Sequence, residues 1–141
     1  MAARSRRPAA LQSRRGVPYV PIMDQDRLTA APPEDCEDMA DVRVGVDEVD
    51  RALVRLLARR QGYMAAAARI KPRAADVRVP WRVEQVVQNV LAESEAAGLS
   101  PRIAEPVWRE LIERSIEFEG ERWAALRAGG GAKPVPEQVR T

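Results

Sequence analysis

The 141-residue sequence predicts an all-α fold, one long helix followed by two shorter ones. Three observations lead there. Apolar residues recur from Val42 to Ile70 at steps that alternate between four and three, the period of a helix with one buried stripe. Pro72, Pro80, Gly98 and Pro101 then cut the remainder into two further helical stretches. No stretch holds the alternating apolar and polar pattern of a half-buried strand.

The first helix is expected from Asp38 or Asp41 to about Lys71, with Val42, Val46, Val49, Leu53, Leu56, Arg60, Tyr63, Ala67 and Ile70 on its period. At about 100° per residue, Val42, Val46, Val49, Leu53, Leu56, Leu57, Met64 and Ala67 all lie within roughly 60° of Arg60, and Lys71 lies about 20° from it. Arg51 and Arg55 point away and Arg59 falls to the side. KPRAADVRVP, residues 71–80 and bracketed by Pro72 and Pro80, reads as a loop because each proline disfavours helix at the residue before it. The second helix starts near Pro80 or Trp81, carries Val83, Val87, Val90 and Ala97, and stops at Gly98. Ser100 and Pro101 read as the N-cap and first residue of the third helix, which holds Trp108, Leu111, Ile112, Ile116, Phe118 and Trp123. Pro106 is expected to kink its early turns.

A first helix of about 30 residues would run about 45 Å, against a radius of gyration near 13 Å for a compact 100-residue domain. It would overhang its own globule. An intertwined homodimer, each long helix packed along its counterpart, is the economical remedy.

Composition narrows the function. There is no histidine, and Cys36 is the only cysteine, so a histidine base, an intrachain disulfide and a zinc cage are all excluded. Neither metal nor organic cofactor is called for. No apolar run approaches the roughly 20 residues needed to cross a bilayer, and a cytoplasmic address is the default. Arg4, Arg6, Arg7, Arg14 and Arg15 are unopposed by acids before Met23, an alternative start, so residues 1–32 read as a disordered basic tail. Residues 33–127 form the helical domain, and 128–141, with GGGAKPVPEQVRT, a flexible tail.

Arg60 and Lys71 stand on one apolar face, and an unpaired buried charge costs several kcal/mol. Glu119 shares the inner face of the third helix with Trp108, Ile112, Ser115 and Trp123. Bland readings exist for each: Arg60 snorkels from the stripe edge, Lys71 favours the helix dipole, and Glu119 is the salt-bridge partner of either. Against these stands the convergence of three charges, with Arg43 about 100° round the helix from Arg60, badly placed for its own site and well placed for a partner subunit's. Several cations and one carboxyl would grip a small dicarboxylate and stabilise charge developing as bonds reorganise, without covalent catalysis. Pericyclic reactions meet that description.

PEDCEDMADVRVGVDEVDRALVRLLARRQGYMAAAARIK, a loop, a second helix ending AAGLSP and a third ending IERSIEFEGERW together resemble the all-helical chorismate mutases, and among them look most like the isochorismate-pyruvate lyase branch. The resemblance covers about Pro33 to Trp123. It implies a homodimer with two sites, each completed by Arg43 donated from the other subunit. It also implies that Arg60 clamps a carboxylate or the pyruvyl end, and that Lys71 donates to the ether oxygen as the carbon–oxygen bond breaks. Glu119 stands where glutamine is common; it must be protonated to donate, and Glu119→Gln should then remove a loss of turnover at higher pH. At the start of the second helix VPWRVEQV departs from the mutase pattern: Arg82 fits the lyase-like one and either contacts substrate or faces solvent, while Trp81 replaces the glutamate that branch tends to carry.

The activity so implied is conversion of isochorismate to salicylate plus pyruvate, with side chorismate mutase activity, in salicylate, siderophore or other secondary metabolism. Chorismate mutase or an amino-deoxychorismate mutase is the alternative. A nucleic-acid-binding or regulatory helical dimer is the non-enzymatic one. Against nucleic acid, basic residues after the leader are interleaved with acids, and no short recognition helix is evident.

Overall fold

The computed structural model describes residues 28–129. Three helices account for most of them: α1, Met39–Ile70; α2, Pro80–Ala97; and α3, Pro101–Ala128. Single 3-10 turns occupy Pro33–Asp35 and Ala74–Asp76, and no strand occurs among the described residues. The all-α expectation and the order of helices hold; α3, at 28 residues, is nearly as long as α1 at 32. Residues 1–27 and 130–141 of the two expected tails lie outside the described residues. The chain divides into two compact units, Met1–Val54 and Arg55–Thr141, and the division falls within α1.

In the first unit, α1 starts where the sequence offers a cap at both ends of a four-residue frame. Asp38 Oδ1 accepts the N–H of Asp41 at 2.9 Å, and Asp41 Oδ2 accepts that of Glu37 at 3.0 Å, a reciprocal arrangement of the capping-box kind. Upstream, Glu48 gathers the approaching chain. Its Oε1 accepts the Thr29 N–H and hydroxyl at 2.6 and 2.8 Å, and its Oε2 accepts the Ala30 N–H at 2.7 Å. These donors hold the Glu48 carboxyl below its ordinary pKa, with the Thr29 backbone contributing most. The apolar stripe of this unit is uncovered: Val46 is 52% exposed and Leu53 47%.

The second unit is built on a helical hairpin. Gly98 closes α2 at φ +73°, a conformation that glycine alone adopts without strain. Leu99 N–H bonds to Ser94 O at 2.8 Å and Gly98 N–H to Glu95 O at 3.2 Å, the Schellman pattern. Ser100 then caps α3, accepting the Arg102 N–H at 3.3 Å, with Pro101 in the first helical position. The helix runs on through Pro106. α2 and α3 pack together, with Val87, Ala104, Ile112 and Ser94 buried, and Ala68 of α1 buried as well. Arg109 braces the hairpin from outside by bonding Glu84 on α2 and Glu105 on α3.

Candidate active site

Pro72 ends α1, and Lys71 is the first residue beyond it, its N–H still bonded to Ala67 O at 2.8 Å. From there the side chain reaches α3, where Nζ lies 2.5 Å from Glu119 Oε1. Glu119 is only 3% exposed, the one buried charged residue among those described. A carboxylate so placed needs its counter-charge, because removing one partner of a buried pair costs about 3–5 kcal/mol. That contact is an ion pair, and Oε1 takes no further hydrogen bond among the described residues. Lys71 Nζ also donates to Val77 O, in the following loop, at 3.4 Å.

Arg60 also reaches α3. Its Nη1 donates to Ser115 Oγ at 2.6 Å, and the Ser115 hydroxyl donates in turn to Leu111 O at 2.6 Å. With its single proton committed to the backbone, Ser115 presents only lone pairs to the guanidinium. That contact uses one of the five N–H donors of Arg60, and a planar guanidinium can turn others toward a carboxylate as a fork. Partial burial pushes its pKa down from the ordinary value, yet arginine stays protonated in proteins, so Arg60 is a cation here. Ser115 and Glu119 are one turn apart on α3, where side chains four residues apart are neighbours at about 5–6 Å. The face of α3 therefore meets two cations of the α1 strand of sequence with one acceptor and one carboxyl.

Three of the residues expected from sequence are thus brought together: Arg60, Lys71 and Glu119. Arg82 is not drawn in. It is exposed in the first turn of α2, and its Nη1 donates to Gln85 Oε1 of the same helix at 2.5 Å. Neighbouring Trp81 is 69% exposed. Arg43 belongs to the first unit, where it too is exposed. Ser115 shares the helical face of Glu119 in the sequence, but its hold on Arg60 has no sequence signal, since a serine in mid-helix ordinarily bonds back to its own helix. Trp123 and Arg127 are further additions, both bonding to the main-chain carbonyl of Lys71.

Two cations, an acidic side chain and a hydroxyl, in a chain without histidine, make a centre for gripping anions and stabilising charge rather than for covalent catalysis. An isochorismate pyruvate lyase of Pseudomonas aeruginosa is 32% identical over 95 residues, which cover 67% of this chain and 94% of that protein. A T-protein of Enterobacter agglomerans is 32% identical over 82 residues, covering 57% of this chain but 22% of that longer protein. Residues 42–120, more than half of the chain, match the family described as chorismate mutase type II. The protein belongs to the chorismate mutase type II family.

Proposed function

We propose that the protein eliminates pyruvate from isochorismate to give salicylate, with a weaker chorismate mutase activity at the same site. The observation that supports this is the ion pair of Lys71 with buried Glu119, one turn along α3 from the Ser115 hydroxyl that accepts from Arg60. The likeness to an isochorismate pyruvate lyase over nearly that protein's whole length favours the lyase reaction over others on related substrates.

In this reaction the ether carbon–oxygen bond breaks, and atom balance requires one ring hydrogen to end on the methyl group of pyruvate while the ring becomes aromatic. No external oxidant, metal or nucleophile enters the balance. Catalysis then lies in holding the enolpyruvyl group over the ring and offsetting charge at the ether oxygen. Arg60 grips a carboxylate with the donors that Ser115 leaves open. The ether oxygen lies beside Lys71, which donates to it, and Glu119 borders the same point as the ion-pair partner of that ammonium. Arg43 completes the site of a second copy in a homodimer, binding the other carboxylate. Arg82, exposed and bonded to Gln85, faces solvent in this scheme.

The second reading, chorismate to prephenate, is favoured by the family itself. Purified protein supplied separately with isochorismate and chorismate separates the two. Salicylate and pyruvate in equal amounts, formed faster than prephenate, are expected; prephenate as the faster product transfers the assignment to the mutase, and turnover of neither substrate overturns both.

A further inference from the structure

We infer that Trp123 and Arg127 are positioning residues that set the reach of Lys71 by gripping the main chain on which it stands. The inference rests on the role proposed above for Lys71. Trp123 Nε1 donates to Lys71 O at 2.9 Å and Arg127 Nη2 to the same oxygen at 2.7 Å, which fills both lone pairs of that carbonyl. Arg127 Nη1 donates to Ala68 O at 2.9 Å, and the guanidinium lies 4.1 Å from the centroid of the Trp123 ring.

The sequence creates the need for this grip. In an unbroken helix Ala68 O would accept the N–H of residue 72, but residue 72 is proline and has none. Ala68 is fully buried, so water is a poor substitute, and the last turn of α1 would fray at the point where Lys71 departs. Arg127 restores the missing donor and, with Trp123, ties the Lys71 carbonyl, just past α1, to the helix that carries Glu119. The backbone of Lys71 and its ionic partner are thereby referred to one element, α3. A donor to a developing charge must hold its place within a fraction of an ångström, and a flexible four-carbon stem does so only from a fixed base.

A mere helix cap would affect stability and nothing else, so the test reads catalysis through Lys71. In the full-length protein, Trp123→Phe removes the N–H and keeps the ring, while Arg127→Lys keeps the charge at the helix end and loses the two-carbonyl fork. Each is expected to lower kcat on isochorismate about tenfold with KM little changed. In a Lys71→Ala background neither should lower the residual rate further. Effects that persist in full without Lys71 overturn the clamp while leaving the proposed reaction intact. A Lys71→Ala variant with wild-type turnover overturns the role of Lys71, and the clamp with it. A crystal structure of the Trp123→Phe/Arg127→Lys variant adds an arm independent of turnover: the separation of Lys71 Nζ from Glu119 should exceed ion-pair range, and an unchanged 2.5 Å contact defeats the clamp.

Discussion

The two units of this chain differ in what they bury. In the second, a carboxyl is almost wholly buried and two cations lean toward its helix, while in the first, valines and leucines stand in the open. Either condition is unfavourable in an isolated molecule: charge resists loss of water, and a run of exposed apolar residues on one helical face marks a surface that binds something. In our proposal a substrate anion meets the cations of the second unit and a second copy of the chain covers the stripe of the first.

The most severe way to break the second unit's side of this contrast is Lys71→Ala. Loss of one donor to the transition state is worth about 3–4 kcal/mol, so kcat on isochorismate should fall by about 10² to 10³, measured as salicylate fluorescence. Charging the first unit's stripe attacks the other side. Val46→Asp with Leu53→Asp should convert a dimer into a monomer by analytical ultracentrifugation, and the monomer should lose turnover in step if each site needs Arg43 from its neighbour. A monomeric wild-type chain with full activity would refute both. Mixing two inactive variants sharpens the link between the units. If Arg43 acts across the dimer, Arg43→Ala and Lys71→Ala subunits reassorted together regain about a quarter of wild-type activity, since half the dimers carry one intact site; no recovery means that Arg43 serves its own chain.

Smaller effects are expected from the two carboxyls that the fold treats so differently. Buried Glu119 is the ion-pair partner of Lys71, so Glu119→Ala should lower kcat on isochorismate, though less than Lys71→Ala does; unchanged turnover would deny it a role at the site. Glu48 is on the surface, and its pKa is lowered chiefly by the Thr29 and Ala30 N–H groups. A carboxyl lowered on folding contributes its tether fully above the unfolded pKa and loses it as pH falls through the folded one. The Thr29 and Ala30 amide resonances should therefore move in the acid range below the ordinary carboxylate value, and stay put in Glu48→Gln, with little change in activity.

Much of this was legible because local chemistry decided it. Asp38 and Asp41 announce the start of α1, Pro72 its end, and Gly98 followed by Ser100 and Pro101 the hairpin. The facing of Glu119 and Lys71 was legible for a related reason, since a charge on an apolar stripe must find its opposite. What escaped were bonds whose acceptors carry no side-chain signature: the carbonyls of Ala68 and Lys71, and the backbone N–H groups that Glu48 collects. Those depend on how α3 meets the end of α1 and on where the leading segment lies, neither of which a residue period encodes. The division of the chain within α1 was equally hidden, because the apolar stripe runs through it without a break.

The turn at Gly98 bears also on the order in which the protein assembles. Its bonds join residues only three to five positions apart, so the α2–α3 pair closes a very short loop and pays little entropy to do so. Pairings of that kind form fast, whereas Arg60 meets Ser115 across 55 residues and Lys71 meets Glu119 across a loop and a whole helix. The helix that carries Glu119 should thus be in place before Arg60 and Lys71 reach it, and those two contacts should form only in the last stage of folding.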